Sequence, residues 1–342
     1  MNLDDPRAAG KLNEIIIMKT RVLGRTNVGV SEIGFGAWAI GGGWGKQDDA
    51  DSLDALNRAL DLGVNFIDTA AGYGNGRSER LIAQVLRERR ERVFVATKTP
   101  PTGTGEWPPS PYCRAAERYP EKYLRENVEE RLRNLNTDCL DVLQLHTWTR
   151  AWNHDPEPLA VLRALQREGK IRAIGVSTPE HDQNCVIDLM RGGWVDVVQV
   201  IYNIFHQEPA AELLPVALQT NVGIIVRVAF DEGALTGKWT KDTKFAPDDF
   251  RSKYFAGDRL VRAVDRAEKV RESLEGSGYT MPQAALKFVL SHPAVTTVIP
   301  GIRNRSQAEA NCEVSSLPPM PPVLLEKLRA HNWRRAFWYG GK

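Results

Sequence analysis

The sequence is short of cysteine and of long hydrophobic runs. Its 342 residues include four cysteines, with no CxxC pair and no zinc-type spacing: Cys113, Cys139, Cys185 and Cys312. We therefore expect free thiols in a reducing, cytoplasmic compartment. No uninterrupted apolar run approaches the ~18 residues that a membrane-spanning helix needs, so no membrane partner is expected.

The chain also lacks an excess of charge of either sign. Lys plus Arg total 45 and Asp plus Glu total 43, which gives a formal charge of +2 and no reason to expect a nucleic-acid partner. No GxGxxG motif follows an apolar run, so a Rossmann-type nucleotide site is not indicated. The N-terminus carries acids where a signal peptide has a basic region, and we interpret residues 1–17 as a flexible extension.

What the chain does have is a regular alternation of apolar runs and helical patterns. The apolar runs cover 31–38, 64–68, 92–98, 140–146, 171–177, 195–200, 222–228 and 294–300. The helical patterns cover 51–63, 78–90, 121–135, 157–169, 180–191, 209–219, 258–275 and 281–291, with Ser78 as a plausible N-cap. Strands buried on both faces have such near-continuous apolar runs. The pattern predicts an α/β fold, a (β/α)8 TIM barrel with long loops at its C-terminal face, as a single domain over residues 18–342.

Polar residues stand at the ends of the predicted strands. Asp68 ends the second strand, Lys98 the third and His146 the fourth, and Tyr73 lies in the glycine-rich loop after Asp68. The C-terminal ends of barrel strands converge on one face, so we expect these side chains to meet there. Each also has an ordinary explanation, as a turn cap, a lysine extending to the rim, a hydrogen-bonded core histidine or a packed loop tyrosine.

The sequence resembles the aldo-keto reductases from about Met18 to Asn311. It is most similar to the long-chain bacterial branch, which also resembles the potassium-channel β-subunits. The matching stretches are GFGAWAIGGGWG (34–45), NFIDTAAGYGNGRSE (65–79), ATK (96–98), DVLQLH (141–146), GKIRAIGVS (169–177), QVIYN (199–203), ALTGK (234–238) and IPGIRNRSQAEAN (299–311). This resemblance implies reduction of a small-molecule aldehyde or ketone by NADP(H), without a metal. It places the catalytic tetrad on Asp68, Tyr73, Lys98 and His146.

The chemistry of these residue types agrees with that reaction. Hydride addition to a carbonyl leaves an alkoxide that needs a proton. The ordinary pKa of a phenol is ~10, and we expect the Lys98 ammonium to lower it for Tyr73, with Asp68 holding Lys98 in place. Tyr73 is then the general acid, and a hydrogen bond from His146 orients the carbonyl oxygen.

The resemblance also implies an extended dinucleotide across the barrel top. The cofactor residues that it implies are Gly36, Ala37, Trp38, Asp68, Ser177, Thr178, Gln199, Arg227, Phe230, Gly233, Leu235, Lys238, Gly301, Arg303, Gln307 and Asn311. Arg303 and Arg305 fall where a 2′-phosphate would lie, and a planar guanidinium suits phosphate, which favours NADP(H) over NAD(H). The alternative is that these arginines cap an exposed helix start.

Two positions depart from the family pattern. Thr178 stands where the family usually has asparagine, and a hydroxyl cannot make the two-sided hydrogen bonds of an amide. Arg227 stands where relatives often place an aromatic ring against the nicotinamide. A guanidinium can also stack, so we expect Arg227 to lie on that ring; the alternative turns it towards Asp231 or Glu232.

The substrate is predicted only as a class. The resemblance and the aromatic residues of the rim loops suggest contacts from Trp38, Tyr73, His146 and Trp148, and a ring-shaped, sugar-like or aryl carbonyl.

Two other functions stay open, a Schiff-base lyase or aldolase with Lys98 as nucleophile and a cofactor-sensing accessory subunit. We expect a monomer or weak homo-oligomer.

Overall fold

The computed structural model describes residues 17–43, 45–103 and 107–333, so most of the predicted N-terminal extension lies outside it. Eight parallel strands form one sheet in chain order, from β3 to β10. They are β3 (Phe35–Gly36), β4 (Phe66–Asp68), β5 (Phe94–Thr99), β6 (Leu140–Leu145), β7 (Ile171–Ser177), β8 (Val197–Ile201), β9 (Gly223–Arg227) and β10 (Val295–Val298). Parallel bridges between Ile33 and Val298 and between Gly36 and Gly301 join the first strand to the last. The predicted TIM barrel is confirmed.

Helices surround the barrel and pack on the outer faces of its strands. They are α1 (Asp49–Asp61), α2 (Arg77–Arg87), α3 (Ala115–Arg118), α4 (Glu121–Leu135), α5 (Glu157–Arg167), α6 (Ile187–Arg191), α7 (Leu213–Thr220), α8 (Phe250–Tyr254), α9 (Arg259–Ser273), α10 (Met281–Leu290), α11 (Arg305–Glu313) and α12 (Pro322–Arg329). Leu56, Leu81, Leu132 and Leu162 are among their buried contacts in the outer core. Within the described ranges, no helix combines the length and the apolar character that crossing a membrane requires.

Two local predictions differ from the structure. The helix predicted over 180–191 is a 3-10 turn (Gln183–Val186) followed by the short α6. The N-cap of α2 is Gly76 rather than Ser78. The Ser78 hydroxyl instead accepts from Thr69 Oγ1 at 2.8 Å and donates to the Ala37 oxygen at 3.1 Å. Ser78 therefore ties α2 to the loops after β3 and β4.

An antiparallel hairpin, which the sequence pattern did not predict, closes the N-terminal end of the barrel. Its strands are β1 (Thr20–Val22) and β2 (Gly29–Ser31). Leu23 and Val30 pack on the barrel interior, whose buried residues are Phe66, Ala96, Val142, Ala173, Val197, Ile225 and Ile299. Gly24 has a φ of +51°, and a Cβ there would lie 2.2 Å from the Gly223 nitrogen, so this close approach requires glycine. The hairpin forms a floor beneath the strands, and the opposite end holds the candidate site.

Candidate active site

An ion pair lies at the C-terminal end of the barrel interior. The Lys98 ammonium lies 2.5 Å from Asp68 Oδ1 and also donates to the backbone oxygen of Thr69 at 2.8 Å. The Lys98 and Asp68 side chains are 0% and 3% exposed, so Lys98 does not extend to the rim. Burial alone lowers the Lys98 pKa, but Asp68 and Tyr73 outweigh it and raise that pKa. Lys98 is therefore an ammonium at neutral pH.

Tyr73 reaches this ion pair from the turn after β4. Its hydroxyl oxygen accepts a hydrogen bond from Lys98 Nζ at 3.3 Å. Burial raises the Tyr73 pKa, the Lys98 ammonium lowers it by less, and the net pKa lies above the ordinary 10.0. The expected lowering is therefore wrong in sign, because desolvation of the phenolate outweighs the attraction of the ammonium. Tyr73 keeps its proton at neutral pH.

His146 follows β6 and faces Tyr73, with ring centroids 6.0 Å apart. Burial, together with the cations of Lys98 and Arg227, holds the His146 pKa well below 6.5. The imidazole is therefore neutral at neutral pH and has one ring N–H to donate.

A cavity of about 210 Å³ lies against Tyr73 and His146. Its aromatic lining is Trp38, Trp107 and Phe250, and the Trp107 ring meets His146 edge-on at 5.2 Å. The polar lining consists of Thr147, Ser177, Thr178, Glu180 and Arg227. The cavity thus combines aromatic faces with hydroxyl and charged groups next to the two groups that can donate a proton or a hydrogen bond.

Trp148 differs from the other three residues predicted to contact substrate. Trp38, Tyr73 and His146 line the cavity, whereas Trp148 is 0% exposed in the outer core. Its indole N–H donates to Asn153 Oδ1 at 2.8 Å, and its ring packs against Trp152 at 5.2 Å. The loop after β6 therefore turns Trp148 inward, and the structure does not bring it to the cavity.

A second cavity of about 100 Å³ shares Trp38 and Arg227 with the first. Nine of the residues predicted to bind cofactor line it: Gly36, Ala37, Trp38, Asp68, Gln199, Arg227, Phe230, Gly233 and Gly301. Val228, also in its wall, has a φ of 57°, which is an outlier for a β-branched residue. The small lining residues, together with the amide of Gln199 and the carboxylate of Asp68, fit the nicotinamide end of a dinucleotide.

Seven other predicted cofactor residues lie outside this second cavity, and four of them lie at or after the end of β7 or β9. Ser177 and Thr178 line the first cavity instead, and Thr178 Oγ1 donates to the Gln199 backbone oxygen at 3.1 Å. Leu235 is buried in the outer core, and Lys238 is exposed. In the described structure the side chains of Leu235 and Lys238 do not reach either cavity.

Arg227 lies at the end of β9, where the two cavities meet. Its Nη2 donates to the backbone oxygen of Thr178 at 3.1 Å, and it is near enough to Tyr73 and His146 to lower the pKa of both. Arg227 lines both cavities. Arg227 is therefore placed where a ligand in either cavity can meet its guanidinium.

Arg303 and Arg305 stand around the start of α11, as the predicted 2′-phosphate site requires, but both have protein partners. Arg303 Nε donates to Gln47 Oε1 at 2.9 Å and its Nη2 to the Lys46 oxygen at 2.8 Å. Arg305 pairs with Asp54 at 3.0 Å. Gln307 Oε1 accepts from the Arg303 backbone nitrogen at 2.8 Å. Asn311 lies buried further along α11.

Two glutamines donate to the buried carboxylate of Asp68. Gln199 Nε2 lies 2.7 Å and Gln144 Nε2 3.3 Å from Asp68 Oδ2. The resemblance points to Gln199 but not to Gln144. One feature of the sequence could have pointed to Gln144. It is a polar residue within LDVLQL, a strand that is buried along its whole length.

The described residues contain no group of three or more His, Cys, Asp or Glu side chains that could hold a metal ion.

Comparisons with known proteins show what the whole chain is similar to. A family model described as "Aldo/keto reductase family" matches residues 32–332. The chain is 32% identical to "Aldo-keto reductase YhdN" of Bacillus subtilis, covering 85% of this chain and 86% of the relative. It is 30% identical to "NADH-specific methylglyoxal reductase" of Escherichia coli, covering 86% and 92%. Among solved structures, the glycerol dehydrogenase AKR11B4 from Gluconobacter oxydans superposes with a TM-score of 0.74 at 25% identity, covering 95% of this chain and 98% of that one.

Proposed function

The chain belongs to the aldo/keto reductase family, and we propose that it is an NADPH-dependent oxidoreductase that reduces an aldehyde or ketone to the alcohol with Tyr73 as the general acid. The observation that carries this proposal is the convergence of the Tyr73 hydroxyl, the buried Lys98–Asp68 ion pair and a neutral His146 on one cavity.

In the proposed reaction, the protein supplies the proton and orients the carbonyl. The neutral His146 donates a ring N–H to the carbonyl oxygen, and Tyr73 gives that oxygen a proton. The Lys98 ammonium, 3.3 Å from the Tyr73 oxygen, stabilises the phenolate that remains. When it is bound, a reduced nicotinamide supplies the hydride for the carbonyl carbon.

We propose that the second cavity holds the nicotinamide end, with Gln199 near the carboxamide, and that Arg303 and Arg305 bind a 2′-phosphate at the start of α11. The positive end of the helix dipole and two guanidinium groups support a phosphate there. NADH is the alternative, because Arg303 and Arg305 already have protein partners and one relative is described as NADH-specific.

For the substrate, we propose a ring-shaped carbonyl compound that carries hydroxyl groups. The aromatic faces of Trp38, Trp107 and Phe250 suit the flat face of a ring, and the polar lining suits its hydroxyls. An aryl carbonyl would use the aromatic walls but has no ring hydroxyls to hydrogen-bond with that polar lining.

The Schiff-base alternative has less support. A lysine nucleophile must be a free amine, whereas the Lys98 pKa is raised by its ion pair with Asp68. An accessory subunit without turnover would bind the cofactor and reduce nothing.

The test is a panel of carbonyl compounds, including sugar aldehydes, short hydroxy-ketones and aryl aldehydes, each assayed by absorbance of NADPH and, separately, of NADH. We expect turnover with NADPH, fastest on the hydroxylated compounds. NADPH binding without turnover on any compound would support the accessory-subunit function instead. Borohydride-dependent labelling of Lys98 would support the lyase.

A further inference from the structure

Three polar side chains from alternate strands form one layer of the barrel interior. They are Asp68 on β4, Gln144 on β6 and Gln199 on β8, and all three are buried. Two residues earlier on the same strands, the interior is apolar, with Phe66, Val142 and Val197. Side chains from alternate strands fill a TIM barrel in such layers. The catalytic ion pair therefore rests on a layer in which polar groups replace the usual branched aliphatic residues.

The two oxygens of Asp68 have separate partners in this layer. Oδ1 accepts from the Lys98 ammonium at 2.5 Å. Oδ2 accepts from the amide nitrogens of Gln199 at 2.7 Å and Gln144 at 3.3 Å. Because both amides are neutral, they occupy Oδ2 without competing with the charge that Lys98 supplies to Oδ1.

Gln144 is poorly explained as a packing residue. Its side chain is fully buried, and within the described part of the chain its Oε1 has no hydrogen-bond partner, which is costly for a buried carbonyl. Space is made for it by Gly175 on the neighbouring strand, where a Cβ would lie 2.9 Å from Gln144 Cγ. A leucine or methionine of similar volume would avoid the unsatisfied oxygen, so the amide is better explained by the contact of its nitrogen with Asp68.

We propose that Gln144 is a positioning residue of the catalytic site, which acts with Gln199 to hold Asp68 Oδ2 so that Oδ1 stays directed at Lys98. This inference rests on the proposed function. Gln199 lines the second cavity, where its amide would also meet the proposed nicotinamide. Gln144 does not line either cavity of the described structure. Gln144 therefore keeps Oδ2 occupied whatever Gln199 binds.

Because two amides share one oxygen, either one alone can hold the carboxylate. The expected signature is synergy between Gln144→Met and Gln199→Met. A hydrogen bond to a charged group is worth ~1.5–3 kcal/mol, or roughly 10- to 150-fold. Each single variant should lose about 10-fold or less in kcat at saturating NADPH. The loss in kcat of the double variant should exceed the product of the two single-variant losses by at least about 10-fold. Such non-additivity is what interacting residues show in a double-mutant cycle.

The experiment measures kcat, the NADPH dissociation constant and Tm for wild type, the two single variants and the double variant. Asn127→Leu is the matched control, because Asn127 is a buried amide that accepts from Thr99 Oγ1 away from Asp68. Gln144→Met should lower kcat with little change in Tm and in the NADPH dissociation constant, whereas Asn127→Leu should lower Tm and leave kcat near wild type. Losses in kcat that simply multiply, or a Gln144→Met variant that loses Tm but not kcat, overturn the proposal.

The Tm values also separate this inference from the proposed function. If the wild-type protein reduces no carbonyl, the proposed function fails, and the sharing of Oδ2 is then judged from Tm alone. A double variant whose Tm loss greatly exceeds the sum of the single losses still supports two amides on one oxygen. If the Tm loss of the double variant equals the sum of the two single losses, the two amides do not share Oδ2 as proposed.

Discussion

The ammonium of Lys98 lies 3.3 Å from the hydroxyl oxygen of Tyr73, yet the Tyr73 pKa lies above its ordinary value. The phenol is buried, and burial disfavours the phenolate more than the ammonium favours it. Tyr73 therefore keeps its proton at neutral pH, and in the proposed reaction Lys98 acts mainly on the phenolate that forms after the proton has left.

Replacement of Tyr73 by phenylalanine should remove most turnover and leave cofactor binding nearly intact. General acid catalysis typically contributes ~10²–10⁴-fold, so kcat should fall by about that factor, while the NADPH dissociation constant measured by fluorescence titration changes little. Tyr112→Phe is the control, because Tyr112 is 98% exposed and should behave as wild type. A Tyr73→Phe enzyme with near wild-type kcat would show that another group donates the proton.

His146 should make the protein less stable as the pH falls below about 6.5. Its pKa is held well below 6.5 in the folded protein, first by burial and then by Lys98 and Arg227. The unfolded chain therefore takes up the proton first, and stability falls from pH 6.5 down to the folded pKa. Tm measured across this pH range should drop less steeply in His146→Gln. Equal slopes in the two proteins would contradict a neutral buried imidazole.

Reduction should also keep its full rate well into the alkaline range. The Tyr73 pKa is raised above 10.0, so the acid form persists until the pH exceeds that value. The profile of kcat/KM against pH, which reports groups of the free enzyme, should fall on its alkaline side only above pH 10. A fall near pH 8 would mean that a different group carries the proton.

Arg303→Ala should weaken NADPH binding much more than NADH binding. Loss of one charged hydrogen bond corresponds to ~1.5–3 kcal/mol, or roughly 10- to 150-fold. Dissociation constants for both cofactors, measured on Arg303→Ala and on Arg305→Ala, give the comparison. If the preference for NADPH over NADH survives in Arg303→Ala and vanishes in Arg305→Ala, Arg305 is the residue that binds the 2′-phosphate. An equal loss for both cofactors means that Arg303 mainly holds Gln47 and the loop before α1.

Arg227 should favour the reduced cofactor over the oxidised one. The oxidised nicotinamide is positive, and two like charges at ~4 Å with an effective dielectric of ~20 repel by about 4 kcal/mol before solvent weakens the effect. The expected result is a ratio of NADP⁺ to NADPH dissociation constants that falls in Arg227→Tyr. If the ratio stays constant, the guanidinium does not face the ring and serves Thr178 instead.

The sequence predicts the barrel and the convergence of the four proposed catalytic residues because both depend on strand ends. Asp68, Lys98 and His146 follow apolar runs, and a closed sheet brings those ends together whatever the loops do. Loops are harder to predict. Trp148 looks like a rim aromatic in the sequence, but its orientation depends on a hydrogen bond to Asn153 that no local pattern reveals.

Three other features were not predicted from the sequence, for different reasons. The β1–β2 hairpin consists of two three-residue strands, too short for a periodic pattern to stand out. Gln144 occupies an ordinary position in an apolar strand, and its importance depends on its nearness to Asp68, which is 76 positions away along the chain. The sign of the Tyr73 shift depends on burial, which the sequence does not measure.

The floor that β1 and β2 form has a consequence for proton supply. Beneath Lys98, the barrel is filled by Leu23, Phe66, Val142 and other apolar side chains, so the barrel interior is closed below the ammonium. The first cavity, which Tyr73 lines, is at the opposite end. In the proposed reaction a ligand that fills this cavity would cover Tyr73, so we expect the proton that Tyr73 gives up to be replaced only after the ligand leaves.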